Sequence, residues 1–361
     1  MKKVCLMGGA VVNAGDFLLE KRSYDLIRHF IPDSEITVLN RVNEDYSNKV
    51  EYLNSFNAII FAGGPLYRPG LYRHQIPFVH QSLLNIVKIP VFFLGGGIKG
   101  SVYRNSYSKL DKEFLNKGVN CLSCRDIYTY RFLHHQGYKA LMTGCPAWYD
   151  LNCIDMVDIS KFKADQFGKI CVSEPANNSN LSLLIGLLKH LRKKYPSSEI
   201  VLVNHRELKQ GLKTELDSLL KIENISFANI SGSVDGFSIY DNCDLHVGFR
   251  VHAHIYNLSK RNQTILFSED IRGAGVNQTL GLENMSAEDM FYGKRKMIGD
   301  YYLIRCPKEN KDTHNIAGEM FDDYLESCSD QSFQNYARAF QLMQDSFQTM
   351  REFFDGINDV I

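Results

Sequence analysis

The sequence predicts an α/β chain of two Rossmann-like halves facing a cleft, with an amphipathic helix at the C-terminal end. Three observations carry this prediction. Short apolar runs of strand length alternate with stretches of helical periodicity. Several of those runs end in glycines, as strands do at the ligand-binding edge of an open parallel sheet. The alternation weakens into a polar stretch around Asn152 to Phe167 and then restarts, which marks two sheets joined by a linker.

In the first half, "KVCLMGG" reads as a strand running into glycines. "GDFLLEKRSYDLIRHFI" has helical periodicity, with Asp16 as its N-cap candidate. "EITVLN" and "NAIIFAGGP" are strands, "HQSLLNIVK" a helix, and "IPVFFLGGG" a strand that again ends in glycines. "VNCLSCRD" is a strand, and "RDIYTYRFLHHQG" a helix capped by Gly137. "KALMTGCPAW" is the last strand of this half.

In the second half, "KICVSEP", "EIVLVNH", "ISFANI", "DLHVGF" and "QTILFSED" are strands. "LSLLIGLLKHLRKKYP", "ELKQGLKTELDSLLK", "FSIYDNC" and "RVHAHIYNLSK" are the intervening helices. Beyond them, Phe333, Tyr336, Phe340, Met343, Phe347 and Met350 recur in steps of three and four, one apolar stripe on a long helix that packs on the rest. The expected divisions are 1–155, 165–310 and a helix over 330–356. Two Rossmann-like halves and a C-terminal helix give a GT-B-like architecture, with the active site in the cleft between them.

Composition narrows the function. Hydrophobic residues make up 44% and charged residues 23%, as in a soluble globular protein. The 41 basic and 41 acidic residues cancel, so the basic excess of a nucleic-acid-binding protein is missing and nucleic acid is not an expected partner. No apolar run reaches the length of a membrane span. "MKKVCLMGG" has too short an apolar core for a signal peptide, so a cytoplasmic protein is expected. Its nine cysteines then read as reduced thiols, and "CLSC" as buried side chains near a strand end rather than half of a zinc site.

Chemistry concentrates at strand ends. Arg250 falls at the turn after "DLHVGF" and His252 in the first helical turn, where free N–H groups and the helix dipole favour an anion. Positions two apart on a helix point about 200° apart, so His252 and His254 do not share a metal, and no metal or other cofactor is expected. His254 is expected to pack or bond structurally, and His252 to be catalytic. Asp270 and Arg272 follow the next strand and face the same edge; the alternative is a capping Asp270 and a solvated Arg272. His205 and Arg206 end "EIVLVNH", and Glu174 ends "KICVSEP". In the first half the same rim holds Asn13 and Asp16, Gly64, Gly97 with Lys99, and Arg125. "GGAVVNAGD" lacks the GxGxxG spacing, which argues against a nicotinamide or flavin, and no P-loop, GxSxG or HExxH occurs.

Together "NAGD", "FAGGP", "FLGGGI", "SCRD", "TGCPA", "GFRVHAHI" and the following "EDIR" resemble the polysaccharide pyruvyl transferase family, in order and over most of the chain. The resemblance implies a GT-B-like fold and transfer of the three-carbon unit of phosphoenolpyruvate onto two hydroxyls of a sugar, giving a cyclic ketal and releasing phosphate. It implies that Arg250 holds the donor and that His252 is an acid or base. Glu269, Asp270, Ile271 and Arg272 stand where many members have tyrosine, aspartate, any residue and lysine, which sets an extra negative charge near an anionic donor.

The residues suit that chemistry independently. A donor with a phosphate and a carboxylate needs two cationic anchors, Arg250 and Arg272. A histidine can move the protons, with His252 first and His205 or Asp270 as partner. The expected partners are phosphoenolpyruvate and an acceptor sugar, free or lipid-linked, with peripheral contact at the inner face of a membrane in the second case. The rivals are a GT-B glycosyltransferase using a nucleotide sugar and a glycan-binding or scaffolding protein that keeps the fold without activity.

Overall fold

The computed structural model describes residues 1–46, 48–67, 70, 87–98, 106–206, 210–287, 297–298, 301–302 and 313–361. Its first sheet comprises β1 (Lys2–Gly8), β2 (Ser34–Asn40), β3 (Ala58–Ala62), β4 (Val91–Gly96), β5 (Cys121–Cys124) and β6 (Leu141–Met142), in the order β2-β1-β3-β4-β5-β6. The second comprises β7 (Lys169–Ser173), β8 (Glu199–Asn204), β9 (Ser226–Asn229), β10 (Leu245–Gly248), β11 (Thr264–Ser268) and β12 (Met285–Ser286), in the order β12-β11-β10-β7-β8-β9. Every pairing within both sheets is parallel.

Side-chain alternation explains why these strands are apolar throughout. In β1, Val4 and Leu6 face one buried cluster while Cys5 and Met7 face another. Ile60 and Ile59 divide the same way in β3. A strand covered by helices on both faces has no solvent side on which to place polar residues.

Apart from the single turn Val50–Leu53, the described α-helices are α1 (Ala14–Phe30), α2 (Lys109–Gly118), α3 (Ile127–His135), α4 (Leu181–Lys194), α5 (Gln210–Ile222), α6 (Val251–Ser259), α7 (Ile271–Leu280), α8 (Thr313–Asp330) and α9 (Gln334–Asn358). The apolar stripe of α9 is buried along its length and bridges the halves. Tyr336 donates its hydroxyl to the Thr264 carbonyl at 2.7 Å in the second half. Phe354 stacks on Phe30 of α1 at 4.8 Å in the first. The linker is pinned as well: fully buried Arg261 donates to the Ile154 carbonyl at 2.9 Å and the Met156 carbonyl at 2.8 Å. Its guanidinium lies 4.9 Å from the Phe340 ring of α9.

Several local expectations change. Asn13, not Asp16, is the N-cap of α1, and Asp16 lies in its first turn. Asn13 itself has extended backbone and Ala14 is already helical, so the helix begins three residues earlier. Gln136 caps α3, and Gly137 follows it with φ of 86°, a left-handed conformation that glycine adopts without strain. The strand expected over 139–148 is only β6, because Gly144 turns the chain with φ of 73° into a 3₁₀ turn over Pro146–Trp148. The helix expected over 80–88 lies almost entirely outside the described residues.

Helix α8 was not anticipated. Its buried Ala317, Phe321, Leu325 and Cys328 repeat at three and four residues, so the signal was there, diluted by a run of acidic residues. It packs along α4, where a β-carbon on Gly318 would meet the His190 ring at 2.4 Å and Lys194 pairs with Asp322 at 2.6 Å. No helix among the described residues is long and apolar enough to cross a membrane.

Candidate active site

Strand order decides which side chains meet. In the first sheet the order reverses between β1 and β3, and in the second between β7 and β10. Loops diverge at such points and leave a crevice at the carboxyl edge. Asn13 and Asp16 follow β1 and Gly64 follows β3; Arg250 follows β10. One cleft is lined by all four, and also by Arg125, His205, Arg206, His252, Asp270 and Arg272. Glu269, Cys145 and Phe249 also line it.

Two close approaches hold the halves face to face. Gly15 in α1 lies against the His252 ring of α6 and has no room for a β-carbon. A β-carbon on Gly275 of α7 would likewise stand 2.9 Å from the Asp126 carboxyl carbon, at the start of α3. Backbone bonds lock these contacts: Ala14 donates to the His205 carbonyl at 3.0 Å, and Ile127 to the Thr279 hydroxyl at 2.9 Å.

Each arginine of the inner cleft is held by a carboxylate. Arg250 is buried, and its Nη2 donates to Glu174 in a short charge-assisted bond. Glu174 also accepts the His205 backbone N–H at 2.9 Å. It stands behind Arg250 rather than in the cleft wall, which corrects its expected place as a substrate contact. Burial pushes its carboxyl up to about 7, with Arg250 opposing the shift. Arg125 donates to Asp126 at 3.0 Å, while Asp126 caps α3 through the Thr129 N–H at 2.8 Å. Gly97 also lies outside the wall: a β-carbon there would stand 2.2 Å from Arg125 Nε, so Gly97 makes room for the guanidinium. Lys99 lies outside the described residues.

Arg272 grips Asp270 with Nε at 3.0 Å and Nη2 at 2.6 Å, and Asp270 caps α7 through the Arg272 N–H at 2.9 Å. Asp270 is thus a cap, yet both residues line the cleft and Arg272 is paired rather than merely solvated. Burial raises the Asp270 carboxyl, but the Arg272 contacts outweigh it and hold the group below its usual range, ionised. Glu269 is turned to the loop after β7, accepting from Ala176 N at 2.7 Å, Asn177 N at 2.9 Å and Asn180 Nδ2 at 2.7 Å. That explains a glutamate at this position: three donors take up its charge.

The histidines differ in surroundings. Burial, with nearby Arg125, Arg272 and Arg250, lowers the His252 imidazole to about 4 against the pull of Asp16, so it is neutral near pH 7. His205 is buried, bonds Tyr240 through Nε2 at 2.7 Å, and is held well below the usual range by burial and Arg250. His254 points away and bonds Thr264 at 2.9 Å, a structural contact. Cys124 bonds the Leu141 carbonyl at 3.3 Å, and burial raises its thiol well above the usual value.

Sequence reading found the rim and set Arg206 on it without a role, and it left Phe249 and Cys145 out of the site. Arg206 was legible as the second residue past a strand end. Phe249 and Cys145 lie within "GFRVHAHI" and "TGCPA", but an apolar residue beside a strand reads as core.

No curated protein matches the chain in sequence. Its fold matches UDP-GlcNAc 2-epimerase from Neisseria meningitidis bound to UDP-GlcNAc, with a TM-score of 0.58 and 10% identity, covering 98% of this chain and 99% of the other. An S. aureus MnaA–UDP structure matches with a TM-score of 0.57 and 10% identity, over 97% and 94% of the two chains. A putative UDP-N-acetylglucosamine 2-epimerase from Listeria monocytogenes gives 0.57 and 10% over 94% and 90%. At such identity these likenesses establish the two-sheet, GT-B-like α/β fold and nothing more. A family model described as polysaccharide pyruvyl transferase matches residues 13–268, from Asn13 at the head of α1 to the end of β11.

Proposed function

The chain belongs to the polysaccharide pyruvyl transferase family, and from that premise we propose that it moves the pyruvyl unit of phosphoenolpyruvate onto two hydroxyls of a sugar. The observation that carries this reading is the gathering of Arg125, Arg250 and Arg272 around a neutral His252 in one cleft. Guanidinium groups and helix N-termini suit a donor with a phosphate and a carboxylate.

In the proposed reaction the donor lies against Arg250 and Arg272 in the second half, and the sugar enters from the side of Asn13, Asp16 and Gly64. One sugar oxygen bonds to the central carbon of the donor, and the methylene carbon gains a proton to become a methyl group. The carbon–oxygen bond to phosphate breaks, and the second sugar oxygen closes the ketal. Two hydroxyl protons are released; one ends on the methyl carbon and one on the departing phosphate. His252 starts unprotonated and so serves first as the base, then as the acid. Its partner is His205, because Asp270 is tied up with Arg272. Glu174 serves by aiming Arg250.

We place the reaction in the cytoplasm, at the inner face of the membrane where the acceptor is lipid-linked. The domain roles follow: an acceptor side over 1–155, a donor side over 165–310 and a bridging helix over 330–356. The test is a thermal-shift titration with phosphoenolpyruvate beside UDP- and GDP-sugars. A rise in Tm with phosphoenolpyruvate alone is expected. A rise with a nucleotide sugar alone overturns the reading in favour of glycosyl transfer.

A further inference from the structure

Among the described residues four guanidinium groups line the cleft: Arg125, Arg206, Arg250 and Arg272. Three already hold a carboxylate, namely Asp126, Glu174 and Asp270. Arg206 holds none: among the described residues no carboxylate oxygen lies within ion-pair distance of it. The acids whose charge it feels are Glu174 and Glu269. Glu174 is occupied by Arg250 and the His205 N–H, and Glu269 by three donors of the loop after β7.

Arg206 is also exposed, whereas Arg250 and Arg125 are buried. It therefore stands at the open side of the cleft, reachable from solvent. Partial burial and the like charges of Arg250 and Arg272 press against its charged state. A cation set among cations, with the local acids engaged elsewhere, is stabilised by an arriving anion. The neighbouring Arg250 and Arg272 could offer only what their bound carboxylates leave free.

We propose that Arg206 is an anion-binding residue of this cleft that grips the phosphate group of the donor, at its solvent-facing end. The phosphate is the more strongly charged end of such a donor, and the exposed cation lets it leave without crossing the buried interior. This inference rests on the proposed pyruvyl transfer for the identity of the donor, but not for the class of ligand.

The experiment titrates the wild type, Arg206→Ala, Arg206→Lys and Arg351→Ala with phosphoenolpyruvate and, separately, with inorganic phosphate, by calorimetry at low and moderate salt. Arg351→Ala removes the same charge from an exposed site on α9, outside the cleft. The expected result is at least about tenfold weaker binding of both anions in Arg206→Ala, the value of one charge-assisted contact. Partial recovery in Arg206→Lys and no change in Arg351→Ala are expected beside it. Affinity of Arg206→Ala within twofold of wild type for both anions overturns the inference, as does an equal loss in Arg351→Ala. A wild type that binds phosphate but not phosphoenolpyruvate removes the donor reading, and the phosphate series alone then decides the role of Arg206. A wild type that binds neither overturns both.

Discussion

The ring of His252 rests on Gly15: a β-carbon at position 15 would stand 2.0 Å from His252 Nδ1, although the two residues belong to opposite halves. This cross-cleft approach leaves no space beside a proposed reacting group. It sets a test that separates helix propensity from packing.

Gly15→Ala lies within a helix, where alanine ordinarily stabilises by about 1 kcal/mol. Here the methyl group must displace the imidazole, so the variant is expected to lose about 1–3 kcal/mol instead. Turnover is expected to fall about 100-fold through misplacement of the ring. Urea unfolding and steady-state rates check both; a more stable, fully active variant would show that the ring is free to move.

His252→Ala is expected to bind phosphoenolpyruvate and to lose turnover by about 100- to 10,000-fold, the usual contribution of a positioned acid–base group. Normal turnover transfers the role to His205. Ring NMR of the free protein, with His252 assigned by its loss in the variant, is expected to show titration near 4.

Arg250 and Glu174 are one unit. Removing Arg250 alone, as Arg250→Met, strands a buried carboxylate and is expected to cost about 3–5 kcal/mol. The double variant with Glu174→Gln is expected to be more stable than the sum of the single effects by over about 1 kcal/mol, read from a double-mutant cycle. Strict additivity would show that the two groups do not depend on each other. Arg250→Lys keeps the charge but loses the fork geometry, so weaker donor binding with a smaller stability loss is expected.

Acid is expected to destabilise the fold before neutral pH is far behind. His205, His246, His252 and His254 all have folded values below the ordinary 6.5, chiefly because they are buried. Their neutral forms support the fold fully above about 6.5, and that support is lost as pH falls toward about 4 for His252 and about 3 for His254. Glu174 runs the other way: raised from 4.5 to about 7, its contribution is full below 4.5 and lost as pH rises through 7. Each histidine removes up to about 1.4 kcal/mol of stability per pH unit below its unfolded value. Tm should therefore drop from pH 7 to 5, with a shallower slope in His254→Gln.

Glu269→Ala leaves Ala176 N, Asn177 N and Asn180 Nδ2 without their acceptor. A loss of about 1–3 kcal/mol is expected, with faster amide exchange confined to the loop after β7. Unchanged exchange there would remove the anchoring role.

The sequence by itself determined most of the elements, though it missed α8 and placed the ends of α1, α3 and β6 wrongly. Strands buried on both faces must be apolar throughout, so β1, β3, β4 and β7 are visible as runs, and the glycines and charges after them mark the carboxyl edge. Arg250 at the strand-to-helix turn, His252 in the first turn and the stripe from Phe333 to Met350 follow from spacing alone. Only the tertiary structure decided the pairings. Strand order sets β7 between β10 and β8, so Glu174 meets Arg250 on one side and His205 on the other. The docking of α1 on α6 sets Gly15 under His252, and among the described residues Arg206 is the cleft arginine that no carboxylate holds. Local periodicity fixes where a side chain leaves its own strand or helix; which side chain it meets depends on contacts between segments distant in sequence, and spacing carries no record of those.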